Sequence, residues 1–308
     1  MIIYILDMDK TSKTYKSNKP VIRNHTYKKD LCSPAIDKKN DITCYSDTTL
    51  ETLKQLWNKK HTNDIINASD PLKIWETLRE KFENVCDSER CWLRQNFANG
   101  KLGDDITQYT FAPIAPESWS ANPKDWLSSI DISSVMSHFE KYYSQFSFIG
   151  PSPIDFDADD VNGTCVWPEL CNFDLKKMII KRKMKIGIIF NTDIHTGEGE
   201  HWVSMFIDLS AKPTPYIFYF DSAGDRIKDE VNMFVGKVIA QAETIGMDLK
   251  FYENTKVHQK GKSECGMYSL YLIIELLTGK KNYTYFLENR VPDKAMSDFR
   301  NIYFNKYS

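Results

Sequence analysis

The sequence predicts an α+β fold: a mainly helical N-terminal part, then short β-rich runs that alternate with helices and close on a central buried helix. Three observations carry this. Apolar residues recur at steps of three and four after Thr48, short apolar β-rich runs take over after Ile186, and Met267 to Leu277 is apolar almost all round.

The first 47 or so residues are polar and lysine-rich. Met1 to Asp30 holds seven Lys/Arg against three Asp/Glu, so this arm reads as poorly structured or extended and solvated, or as docked on an anionic partner. Leu50, Leu53, Leu56 and Trp57 then share one helical face. Asp70-Pro71 supplies an N-cap and a proline at the first helical position, and Leu72, Trp75, Leu78, Phe82 and Val85 continue a stripe. A third helix is predicted from Ser88 to Phe97, ended by Asn99-Gly100. Pro113, Pro116 and Pro123 mark a boundary, which divides the chain into an arm domain, 1–118, and a second domain, 119–308.

Trp126 to Phe146 again reads as helical. Asp155, Asp157, Asp159 and Asp160 form an acidic turn without the glycine and terminal glutamate of a calcium loop. Six basic residues between Lys176 and Lys185 read as a solvated face or edge. Strands are predicted at Ile186–Phe190, His201–Leu209 and Pro215–Phe220, separated by Thr196-Gly197-Glu198-Gly199 and Lys212-Pro213. An amphipathic helix from about Arg226 to Ile245, a strand from Leu249 to Val257 and the helix Cys265–Thr278, capped by Gly279, complete the pattern.

Composition narrows the function. Lys+Arg 40 against Asp+Glu 42 leaves a net charge of −2, which removes any global basic field for nucleic acid. Ile2 to Leu6 is too short for a signal-peptide core, and no stretch reaches the roughly 20 apolar residues of a membrane span. The cysteines number 7, which is odd, and they are sparse and lack CxxC spacing. They read as reduced thiols of an intracellular, unsecreted protein, with no structural zinc and one thiol free for chemistry.

That thiol is Cys265, at the start of the buried helix in Ser263-Glu264-Cys265-Gly266. Unpaired N–H groups at a helix N-terminus favour an anion, and thiols placed there ionise more readily. Gly266 clears a side chain from where a substrate backbone would approach. A thiolate nucleophile needs an imidazole and a group to orient it. His201 opens one predicted strand and Asp221 closes the next, so neighbouring strands would set them side by side.

His201-Trp202, Phe220-Asp221-Ser222, and Gln259 six residues before Cys265-Gly266 follow the order His–Asp–Gln–Cys. This pattern resembles the ubiquitin-like-protein (SUMO-specific) and adenovirus-type cysteine peptidases. Asn191-Thr192-Asp193, Ser222-Ala223-Gly224 and Cys86-Asp87-Ser88-Glu89-Arg90-Cys91 add similarity to the polyprotein-processing proteases of large DNA viruses. The resemblance implies a SUMO-protease-like catalytic domain behind a helical arm domain. It implies Cys265 as nucleophile, His201 as general base and acid, and Asp221 as the group that orients the ring. Gln259 and the Cys265 N–H would form an oxyanion hole. Trp202 would wall a groove that admits Gly-Gly before the cut bond, with Trp126 opposite. Asp221 follows the cellular members, where a viral member carries Asn.

The activity so implied is cysteine endopeptidase cleavage after Gly-Gly in viral structural polyproteins during virion maturation, in the host cytoplasm, its viral factories or the virion. No metal or cofactor is implied, and the partner is a protein substrate. Removal of a ubiquitin-like modifier by isopeptidase chemistry is the nearest alternative; acyl transfer and non-catalytic binding are more remote ones.

Overall fold

The computed structural model describes residues 27–36 and 42–307. The basic arm lies outside the described residues up to residue 26. Residues 27–36, read with it as a solvated segment, are instead tied to the body. Leu31 N donates to Asn305 Oδ1 at 2.6 Å, Ser33 Oγ lies 2.8 Å from His138 Nδ1, and Cys32 bridges Phe111. These contacts join residues far apart in sequence, so no local pattern announces them.

The helical part begins with α1 (Asp47–Lys60), where the Ser46 hydroxyl accepts from Thr49 N at 3.1 Å. In α2 (Pro71–Phe82), Asp70 accepts from Lys73 N at 3.0 Å and Pro71 sits in the first turn. Leu53, Trp57, Ile74, Leu78 and Phe82 meet in one apolar cluster. The predicted α2 stripe was too long at both ends, since Leu72 and Val85 are 41% and 63% exposed.

The helix expected from Ser88 to Phe97 shrinks to α3 (Glu89–Trp92). Trp92 and Phe97 both enter the same core, whereas positions five apart on a continuous helix would diverge by about 140°. The short α4 (Asp104–Tyr109) and a 3₁₀ turn, Glu117–Ser120, lead to α5 (Ser129–Tyr142). Ser128 and Asp131 form a reciprocal capping box that starts α5 there. Trp126 and Leu127 are thereby left in the preceding loop, outside the helix predicted for them.

Phe146, expected at that helix's end, opens β1 (Phe146–Pro153), a strand the sequence did not announce because it contains Pro151 and Pro153. Prolines are tolerated there because β1 is an edge strand. The chain continues through α6 (Pro168–Cys171), α7 (Leu175–Ile180), β2 (Lys185–Asn191), β3 (Trp202–Asp208) and β4 (Tyr216–Phe220). Then come α8 (Asp229–Thr244), β5 (Lys250–Glu253), α9 (Cys265–Thr278), α10 (Tyr283–Glu288) and α11 (Asp293–Tyr303). The last two helices were not anticipated, and β5 is shorter than the predicted Leu249–Val257.

The sheet runs β1-β2-β3-β4-β5, parallel at its two outer pairs and antiparallel in the middle. Val203, Met205 and Ile207 face α8, while Phe206, Phe218 and Phe220 face α9. Helices on both sides explain why β3 and β4 read as continuous apolar runs. In α9, every residue from Cys265 to Leu277 is buried, and Gly279 ends the helix with φ 69°. Each fully buried Leu or Ile of that helix contributes about 1.5–3 kcal/mol.

The cysteines differ from expectation. Cys32–Cys44, Cys86–Cys91 and Cys165–Cys171 are paired, and Cys265 is the free cysteine. Sparse cysteines suggested reduced thiols, but folding brings each pair to Cα separations of 5.1, 5.5 and 6.6 Å, within bridging reach. Among the described residues no helix is long and apolar enough to cross a membrane.

Candidate active site

The antiparallel pairing of β3 with β4, Ser204 opposite Phe220, puts the start of β3 and the end of β4 at one end of the sheet. His201 precedes β3 and Asp221 follows β4. His201 Nε2 donates to Asp221 Oδ1 at 2.8 Å. The same carboxylate oxygen accepts from Ala223 N at 2.7 Å, which fixes its orientation, and Asp221 is 1% exposed.

α9 packs across β3, so its N-terminal residue, Cys265, arrives at that same sheet end. The Cys265 thiol lies near enough to the His201 ring to act on its proton affinity. Burial draws the His201 pKa down, but the bonds to Asp221 and Cys265 and their charges outweigh it and lift it from 6.5 to about 10. The ring is therefore held as imidazolium at neutral pH. Its Nε2–H faces the carboxylate.

Gln259 lies beside this pair because the turn after β4 packs against the strand-to-helix connection. Gly224 has φ 81°, and a Cβ there would stand 3.0 Å from Val257 N. The Ser222 carbonyl accepts from His258 N at 2.9 Å and Gln259 N at 2.8 Å. Ser222 Oγ donates to Gln259 Oε1 at 2.8 Å, and Gln259 Nε2 donates to the Gly261 carbonyl at 2.9 Å. One N–H of the amide remains for another acceptor.

Asn254, 0% exposed, clamps the other side of Asp221 by donating to its carbonyl at 2.7 Å. His258 does not join the chemistry. Its Nδ1 accepts from Val291 N at 3.1 Å, so the proton resides on Nε2, which donates to the Phe286 carbonyl at 3.1 Å. Burial, with the Lys256 and Arg290 charges, holds this ring neutral by lowering its pKa to about 4, against a smaller upward pull from the Phe286 carbonyl.

Trp202 and Gly266 adjoin Leu127, and Trp126 lines the cleft next to them. Trp202 Nε1 donates to the Leu127 carbonyl at 3.0 Å. A Cβ on Gly266 would stand 3.1 Å from Leu127 Cβ and 3.3 Å from Trp202 Cδ1. Gly266 thus lets Leu127 and Trp202 close together beside Cys265. Trp126 is 40% exposed and lines, with Trp202 and Leu127, an adjoining cleft of about 1060 Å³. Sequence reasoning assigned no role to Ser222 or Asn254. Ser222 adjoins a residue that was singled out, while nothing in the sequence marks Asn254.

A buried thiol, an imidazolium and an oriented carboxylate are equipped for acyl transfer through a thioester. Comparison with known proteins agrees. The model of the Ulp1 protease family, C-terminal catalytic domain, matches residues 130–308.

The chain belongs to the Ulp1 protease family.

It is a cysteine peptidase of that family. A chain of Acanthamoeba polyphaga mimivirus assigned as a thiol protease is 29% identical over 296 residues, 89% of this chain and 93% of its own length. A SUMO-1 cysteine protease of African swine fever virus is 36% identical over 241 residues, 74% of this chain and 86% of that one. The crystal structure of an African swine fever virus protease superposes with a TM-score of 0.61 at 21% identity, covering 90% of this chain and 96% of the other. The fold shared with that protease thus reaches beyond residues 130–308 into the helical part.

Proposed function

We propose that this protein is an endopeptidase that cuts after Gly-Gly in viral structural polyproteins, acting in the infected cell or the virion. The observation that carries the specificity is the access to Cys265. The nucleophile is 1% exposed behind the touching walls Leu127 and Trp202, so a substrate has to reach it without side chains. Two glycines satisfy that requirement.

The Cys265 thiolate attacks the scissile carbonyl carbon, forming a C–S bond. The oxyanion takes hydrogen bonds from the Cys265 N–H and the free N–H of Gln259 Nε2. His201 passes its Nδ1 proton to the leaving amine as the C–N bond breaks, while Asp221 holds the ring. Neutral His201 then takes a proton from water, which attacks the thioester and frees Cys265. Residues 119–308 supply this chemistry, and none of its steps uses a residue of the arm domain, 1–118.

The test is cleavage of a Gly-Gly-Xaa peptide panel and of SUMO and ubiquitin C-terminal fusions, with Cys265→Ala as the blank. Short-peptide cleavage with little activity on the fusions supports polyprotein processing. Strong preference for a fusion overturns it in favour of deconjugation, the second reading, which the description of the swine fever relatives as SUMO-1 proteases favours.

A further inference from the structure

The cleft that begins at Leu127 and Trp202 is larger than a Gly-Gly slot requires. Residues 116–131, 151–167 and 191–202 enclose it. Its lining carries apolar groups left open to solvent: Trp126 at 40%, Ile130 at 78% and Ile194 at 51% exposure. Separately exposed apolar residues are ordinary, but apolar residues gathered in one cleft beside a nucleophile mark a binding surface.

The charge of the cleft is one-sided. Glu117, Asp125, Asp131, Asp160, Asp193 and Glu198 line it, and among the described residues no lysine or arginine does. Three of these carboxylates accept from backbone amides, which leave the charge in place. Asp131 accepts from Ser128 N at 2.8 Å, Asp160 from Asn162 N at 2.7 Å, and Asp193 from Gly199 N at 2.9 Å. Hydrogen bonds from Thr164 and Asn162 hold Asp160 below the usual carboxylate range. The cleft's imidazole, His195, is taken by Asp155, with Nδ1 2.7 Å from Oδ2 and the backbone N donating to Oδ1 at 2.8 Å.

We propose that this cleft receives the substrate segment immediately N-terminal to Gly-Gly, and selects one that carries lysine or arginine beside an apolar residue. The inference rests on the endopeptidase reading. An extended chain advances about 3.3 Å per residue, so the residues just before two glycines emerge from the Leu127–Trp202 slot into the cleft. An apolar side chain covers Trp126 and Ile194. A cationic side chain meets carboxylates that no lysine or arginine among the described residues of the cleft neutralises, in a concave site that focuses their field.

The experiment compares three peptides that share Gly-Gly-Ala and differ upstream, Lys-Leu, Ala-Leu or Glu-Leu. Wild-type kcat/KM is measured at low and high salt. The Lys-Leu peptide is expected to be cleaved about tenfold faster than Glu-Leu at low ionic strength, with the ratio shrinking as salt screens the cleft. In the double variant Glu117→Gln, Glu198→Gln the ratio falls toward one. In Cys265→Ala, fluorescence anisotropy of the labelled peptides should show the same order of affinity without turnover. Cleavage of the Ala-Leu peptide with equal rates on the other two overturns the inference and leaves the protease standing. No cleavage of any peptide by wild type, with no binding to Cys265→Ala, overturns both.

Discussion

Ser222 Oγ donates a 2.8 Å hydrogen bond to Gln259 Oε1, so the residue after Asp221 sets which end of the Gln259 amide points where. Without that donor the amide can flip and present its oxygen to an oxyanion. Gln259→Ala should lower kcat by about 10²–10³ with KM little changed, as for other oxyanion-hole donors. Ser222→Ala should lower kcat about fivefold, since a net hydrogen bond is worth about 1 kcal/mol. Ser222→Thr, which keeps the hydroxyl, should restore most of it. A rise in KM at constant kcat would assign Ser222 to substrate binding instead.

Cys265→Ala should abolish cleavage and leave cooperative unfolding intact, because it removes one sulfur from a well-packed helix start. His201→Ala should also abolish cleavage, at a cost of about 1–3 kcal/mol for stranding the buried Asp221 carboxylate. Circular dichroism melts distinguish the two effects. Loss of folding in both variants would make the pair structural. Addition of a chelator should leave cleavage unchanged.

Thiol accessibility follows from the pairing. Iodoacetamide applied to the native, unreduced protein should label Cys265 alone, and the six paired cysteines should become reactive after reduction and unfolding. Peptide mass mapping reads this directly. Labelling of Cys86 or Cys165 in the native protein would show those pairs to be open.

Stability should decline on both sides of neutral pH. The His201 pKa is raised from 6.5 to about 10, so its imidazolium contributes stability that is complete below about pH 6.5 and lost as pH climbs through about 10. Burial lowers His258 and His138 to about 4, with Arg90 adding to the effect on His138. Their neutral rings contribute stability present above pH 6.5 and lost as pH falls through about 4. Urea midpoints measured from pH 4 to 10 check both limbs. His201→Gln should flatten the alkaline limb alone, and an unchanged alkaline limb would contradict the assignment.

Gly266→Ala should reduce activity and stability together, because the new Cβ presses Leu127 Cβ at 3.1 Å and Trp202 Cδ1 at 3.3 Å. Leu127→Ala in the same chain should recover part of the stability. Independent, additive losses would mean that the two residues do not share the contact.

The sequence by itself determined the apolar strands β2, β3 and β4, the buried helix α9 and the residues His201, Asp221 and Cys265. Period and turn chemistry are local, and a thiol at a helix start and polar residues at strand ends can be seen one element at a time. Only the tertiary structure decided how they meet. It placed the ends of β3 and β4 and the start of α9 together, and brought Leu127 and Trp202 against Gly266 beside Cys265. It also seated Asn254 behind Asp221 and paired six cysteines that spacing had left free. β1 escaped notice for the related reason that its prolines are acceptable only on a sheet edge, and an edge exists only once the strands are ordered. Each of these outcomes depends on packing between segments tens or hundreds of residues apart, which no local periodicity records.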